Sequence, residues 1–359
     1  MVVDEPVRGT FAYLDHPGLL SLSGLEQMRR FQRKEIPYGP AYFLTGLHLV
    51  EVEKGGSTWR LPATPWLRSA AGIPTGGVLA FAADGALGTA IYSTLPPGTI
   101  LATSELSLNF LRPPSVDAGD ILTHATLIQA GRSLGLSEAT VEDASGRLLA
   151  HATSRCVLMP LGVPDAPTPD GPIPWPTYGT PHPFERPSEG AVLPPEAWER
   201  MSGLDMMRAW QRRELPWPPL ATLVGSEHLE AEEGRFACSI PASRWFCTAG
   251  GTFYGGAVAL LADHAIGGSV HTTVPAGTSW ATLDLKVNFL RPVPSDGRPL
   301  VARATVVHRG RTIAVATAEV RTADDKVAAL ATGSVMILSD RPWRTEAAPI
   351  DEALTGIES

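Results

Sequence analysis

Hydrophobic residues fall at helical spacing in Ser23–Glu35, where Leu25, Met28 and Phe31 follow a serine at the capping position and the run stops before Pro37. Ser202–Glu214 repeats the pattern with Leu204, Met207 and Trp210. Short alternating runs near Thr45–Val52 and Ser57–Pro62 predict strands. At Gly76-Gly77 the pattern changes. The stretch that follows is rich in Ala and Leu, carries Asp84 as its single charge and ends near Pro96 and Gly98. That predicts a helix apolar on every side, and such a helix is buried. Alternating runs resume at Ile100–Leu111, Ile121–Ala130, Ser133–Glu142 and Leu148–Leu158, and again near Ser279–Leu290, Leu300–His308, Thr312–Thr322 and Val327–Leu338. Antiparallel strands joined by short turns, with one long buried helix, predict an α+β fold in which the sheet wraps the helix.

The pattern is written twice. Gly76–Pro113 and Gly255–Pro292 align without a gap and share 19 of 38 positions, at an offset of 179 residues (255 − 76). The offset extends outward, since Ser23-Gly24-Leu25 matches Ser202-Gly203-Leu204 and Gly131-Arg132 matches Gly310-Arg311. A period this long is a duplicated domain rather than a solenoid. It is also an internal control: a chemical role is expected in both copies, or its loss from one needs an explanation. The domains expected are a first repeat with its N-terminal helix over 1–160, a linker over 161–195, a second repeat over 196–345 and a tail over 346–359. The linker is rich in proline, which favours extended backbone, and its Trp175, Tyr178 and Phe184 predict that it packs along the surface.

Composition narrows the function classes. A net charge of −8 argues against nucleic acid as the main partner. No apolar run approaches the length of a membrane span, and the N-terminus is too acidic for a signal peptide. Cys156, Cys238 and Cys247 have no CxxC spacing and do not match between repeats, so neither a shared zinc site nor shared disulfides are expected and the cytoplasm is the default compartment.

The chemistry-bearing residues sit in matched positions. Each buried helix opens on two glycines (Gly76-Gly77, Gly255-Gly256) and carries one aspartate eight residues on (Asp84, Asp263). A helix N-terminus offers free N–H groups and partial positive charge to an oxyanion, and a buried aspartate has its pKa raised. Eight residues are about 12 Å along a helix, so one helix cannot bring both groups to one carbonyl carbon. Two antiparallel helices can, which pairs Gly76 with Asp263 and Gly255 with Asp84.

The order of elements, the GG-x6-AD helix, the STLPPGT and TTVPAGT turns, the NFLRP strand end and the later Gly-Arg turn together resemble the PaaI-type acyl-CoA thioesterases, in tandem as a double hot-dog. The resemblance covers nearly all of each repeat. It implies hydrolysis of coenzyme A thioesters, with coenzyme A entering as part of the substrate and no cofactor or metal. Asp84 and Asp263 would serve as base or nucleophile, and the N–H of Gly76 and Gly255 would hold the thioester oxygen. A family hydroxyl falls on Thr103 and Thr282, each expected beside the aspartate of its own copy. Gly77, Gly256, Asn109, Asn288, Arg112, Arg291, Arg132 and Arg311 are the further candidate substrate-binding residues, the arginines for coenzyme A phosphates. Two departures stand out. The family's histidine before the glycines is Thr75 in one copy and Tyr254 in the other, and the asparagine six residues earlier is Ser69 and Thr248. A tighter pocket is expected at the Tyr254 site. The resemblance allows a homo-oligomer of double units.

Structural roles also fit several of these residues. The aspartates could cap buried backbone, and the glycines could serve helix packing alone. His264, next to Asp263 but on another helix face, reads as packing. The alternative functions are an acyl-CoA binder that has lost catalysis with the missing His and Asn, and a hot-dog hydratase, which needs a catalytic histidine that the repeats do not share.

Overall fold

The computed structural model describes residues 2–339; the expected tail 346–359 and the end of the second domain, 340–345, lie outside them. Twelve strands form one sheet in the order β1-β2-β4-β5-β6-β3-β9-β12-β11-β10-β8-β7. They are β1 His48–Glu53, β2 Gly56–Leu61, β3 Thr99–Phe110, β4 Ile121–Ala130, β5 Leu134–Glu142, β6 Leu148–Pro160, β7 Glu227–Glu232, β8 Arg235–Pro241, β9 Ser279–Phe289, β10 Pro299–Arg309, β11 Ile313–Arg321 and β12 Val327–Leu338. The helices are α1 Ala12–Asp15, α2 Gly24–Gln32, α3 Pro40–Thr45, α4 Gly76–Tyr92, α5 Pro195–Arg200, α6 Gly203–Gln211, α7 Pro219–Val224 and α8 Gly255–His271.

The two halves of the strand order mirror each other about β3 and β9. These two strands pair antiparallel, with Glu105 opposite Asn288, Ser107 opposite Lys286 and Asn109 opposite Asp284. Ser107 and Lys286 are themselves 179 apart (286 − 107), so a pseudo-twofold axis passes between them. The duplication thus builds a single sheet across the repeat boundary, curled on each side around one helix.

α4 and α8 are the apolar helices, and they pack directly on each other. Gly77 lies against Leu260, and Gly256 lies against Phe81. Rising numbers on one helix meet falling numbers on the other, so the pair is antiparallel. A Cβ on Gly77 would stand 2.9 Å from Leu260 Cα, and one on Gly256 would stand 2.8 Å from Phe81 Cα. Only glycine permits that approach.

Ser23 and Ser202 cap α2 and α6, as the sequence pattern predicts. Two short helices, α3 and α7, stand where the sequence pattern showed only the approach to a strand. Each has proline at its start and a left-handed glycine, Gly46 or Gly225, at its end. The proline-rich segment runs along the first repeat. Trp175 Nε1–H donates to Lys34 O at 2.6 Å, Gly9 N–H donates to Tyr178 Oη at 2.7 Å, and Leu193 N–H donates to Ala70 O at 2.9 Å.

Candidate active site

Asp84 and Asp263 are 5% and 4% exposed, in the middle of α4 and α8. Each carboxylate crosses to the start of the opposite helix. Gly77 N–H donates to Asp263 Oδ2 at 2.7 Å, and Gly256 N–H donates to Asp84 Oδ2 at 2.9 Å. The donor is the second glycine of each pair. The first, Gly76 or Gly255, is one residue nearer the helix end, where an N–H has no intrahelical acceptor. Both glycine–aspartate pairs expected from the helix spacing are therefore brought together across the repeats. A Cβ on Gly255 would lie 2.9 Å from Asp84 Oδ2, and one on Gly76 would lie 2.8 Å from the Phe110 ring.

Burial raises both carboxyl pKa values to about 6, against the lowering effect of the hydrogen bonds they accept. Thr103 Oγ1 donates to Asp84 Oδ1 at 3.0 Å. A bulge between Thr103 and Glu105 falls beside this residue, and bulges re-aim side chains in this way. Thr282 and Thr75 act on Asp263 in the same sense, yet its Oδ1 has no regular hydrogen bond. Thr103 and Thr282 thus stand beside the aspartate of their own copy, and Thr75 reaches Asp263 across the repeats.

The two sites differ in the space around them. A cavity of about 740 Å³ lies at Asp263, lined there by Thr75, Gly76 and Thr282 and extending past Trp210, Trp217 and Trp280. The matching volume at Asp84 is filled. Where the second repeat has Ala221 and Cys238, the first has Tyr42 and Trp59, which are 8% and 2% exposed with ring centroids 5.4 Å apart. Where the first glycine pair is preceded by Thr75, the second is preceded by Tyr254. Its hydroxyl donates to Phe81 O at 2.8 Å and its ring lies against Gly256.

The remaining candidates spread out. Ser69 and Thr75 line the cavity. Thr248 instead binds Thr252 within its own loop, Oγ1 to Oγ1 at 2.9 Å. Asn109 and Asn288 alternate with buried Leu108 and Val287, so they occupy the outer face of the sheet, apart from the cavity lining. Arg112 is at the cavity mouth and donates to Leu148 O at 2.8 Å. Arg291, Arg132 and Arg311 are exposed and are not among the lining residues.

Sequence reasoning missed Arg147, which joins Arg112 at the mouth and is held by Asp143 at 2.9 Å. The duplication carried a signal for it, because Lys326 is the matching basic residue in the same turn of the other repeat. His264 packs against His228 and Phe236, as the sequence suggests, and in addition lines the cavity together with His228 and His271. Among the described residues no group of three His, Cys, Asp or Glu side chains could hold a metal ion, and no helix is long and apolar enough to cross a membrane.

Residues 250–329 match the family model described as the thioesterase superfamily, and residues 27–158 match that of the acyl-CoA thioesterase C-terminal domain. A protein of Saccharolobus solfataricus named "Putative esterase" is 34% identical over 110 residues, which are 31% of this chain and 76% of that protein. One of Halobacterium salinarum with the same name is 34% identical over 111 residues, 30% of this chain and 72% of that protein. The solved structure of the tesB protein of Mycobacterium avium subspecies paratuberculosis superposes with a TM-score of 0.50 at 14% identity, covering 80% of this chain and 95% of that one.

Proposed function

Because the chain belongs to the thioesterase superfamily, we propose that it hydrolyses acyl-CoA thioesters, and that it does so at the composite site of Gly76 and Asp263. The observation that carries this reading is the contact of Asp263 with the start of α4. It sets a carboxylate and a helix N-terminus from different repeats at one cavity.

In this reading the thioester oxygen accepts the Gly76 N–H. The positive end of α4 stabilises the charge that gathers on that oxygen as the carbonyl is attacked. Asp263 is held through Oδ2 by Gly77, which leaves Oδ1 to take a proton from the attacking water. A carboxyl pKa of about 6 suits that task, because the base is ionised at neutral pH yet still basic. Thr75 and Thr282 orient the carboxylate or the water. The carbon–sulfur bond breaks and coenzyme A leaves as its thiolate. Arg112 and Arg147 stand at the mouth, where the coenzyme A phosphates would lie.

The same reading gives Asp84 a structural task. It accepts Gly256 N–H and the Thr103 hydroxyl much as its counterpart meets Gly77 and Thr282, but Tyr42, Trp59 and Tyr254 occupy the space a substrate needs. The test is release of free thiol from a panel of acyl-CoAs, read beside equilibrium binding of the same panel. Turnover supports the hydrolase. Tight binding of acyl-CoA without thiol release would make the protein a non-catalytic binder.

A further inference from the structure

His228, on β7, and His264, on α8, lie in the interior of the second repeat, and both are partly exposed there because they line the cavity. Their Nε2 atoms are 3.1 Å apart, so one ring donates and the other accepts. Burial lowers both pKa values, His264 to about 4, and both rings are neutral at neutral pH. A neutral imidazole carries one N–H, so fixing one nitrogen fixes the other. The bond engages Nε2 of both rings, which leaves Nδ1 of His264 for a ligand whichever ring donates.

The pair is rigidly seated. His228 meets Trp210, Trp217 and Phe236 edge to face, with ring centroids at 5.9, 4.8 and 4.7 Å. It is not required by the fold. The matching positions of the first repeat are Leu49 and Gly85, in a copy that builds the same strand and helix. Two imidazoles therefore occur only in the repeat whose cavity is open. Burying polar rings costs free energy unless a partner satisfies them.

From this arrangement we infer that His264 is a specificity-determining residue whose Nδ1 hydrogen-bonds a hydroxyl on the acyl group, with His228 as the positioning residue that holds its Nε2. The inference rests on the Asp263 reading of the site. His264 follows Asp263 directly but is turned about 100° from it around the helix axis, and both line the one cavity. The hydroxyl therefore belongs among the first few carbons of the acyl chain, while the apolar remainder of the cavity takes the tail.

The test uses the full-length protein with matched straight-chain acyl-CoAs that differ only in a 2-, 3- or 4-hydroxyl. One hydrogen bond to a buried ring nitrogen should favour one hydroxylated series by about tenfold or more in kcat/KM. His264→Leu should erase that preference by lowering kcat/KM of the hydroxylated series more than that of the unsubstituted one. His228→Leu, which installs the first repeat's residue, should reduce the preference without abolishing it. Equilibrium binding of the same pairs is read in parallel. A hydroxyl preference in binding without thiol release would overturn the hydrolase and leave the recognition standing. Equal kcat/KM and equal binding for every matched pair, or an equal loss on both series in His264→Leu, would overturn the recognition.

Discussion

Asp84 and Asp263 were legible in the sequence because each is a single charge in an otherwise apolar helix, and because both copies keep it. What each now does depends on neighbours that only the fold assembles. Asp84 is sealed under Tyr42 and Tyr254, and burial lifts its pKa from 3.8 to about 6. The sign of the consequence is fixed. Between these two values the unfolded chain releases a proton that the folded chain retains, so stability falls as pH rises through this window and levels off above about 6. A shift of about two pKa units corresponds to about 3 kcal/mol. Asp84→Asn removes that titration, while its amide oxygen can still accept Gly256 N–H and its NH2 can donate to Thr103. Relative to wild type, the variant should therefore gain about 3 kcal/mol between pH 4 and pH 7, measured by denaturant melts across that range. A constant difference at all pH values would mean that Asp84 does not titrate in the window. His264 shows the opposite limit of sequence reading. Its neighbour His228 lies 36 residues away (264 − 228), and nothing in the local pattern links them.

At the level of elements, the long helices and most strands were legible from periodicity, and their ends agree to within a few residues. The short helices α3 and α7 were not. Six residues give too few turns for a periodic pattern, and their proline and closing glycine resemble a loop in sequence. The glycines of α4 also could not be told apart by sequence, although they have different tasks. Gly77 faces the backbone of Leu260, whereas a Cβ on Gly88 would meet nothing nearer than Leu101 Cδ1 at 4.0 Å. Gly77→Ala should therefore destabilise by about 1–3 kcal/mol, since helix backbones cannot give way as a side chain can. Gly88→Ala should stabilise by up to about 1 kcal/mol through helix propensity. Thermal unfolding of the two variants checks the pair, and equal shifts would contradict the packing role assigned to Gly77.

On the scale of the whole molecule, the duplication announced the pairing of helices across the repeats. What it could not announce is the inequality of the halves. The two copies place the same carboxylate at the same helix N-terminus, but one is closed by three large aromatic side chains and the other opens on a cavity of about 740 Å³. Sequence comparison of the copies showed that Tyr254 replaces Thr75. It did not show that Tyr42 and Trp59 converge on the same volume from a different helix and strand. The measurement that bears most directly on the proposed hydrolysis at one of the two sites is acyl-CoA turnover by Asp263→Asn and Asp84→Asn, each made alone in the full chain. Loss of a general base costs on the order of 100- to 10,000-fold. Asp263→Asn should show a loss of that size with the fold intact, and Asp84→Asn should stay close to the wild-type rate. Wild-type turnover in Asp263→Asn, or a loss that falls on Asp84→Asn instead, would contradict the account.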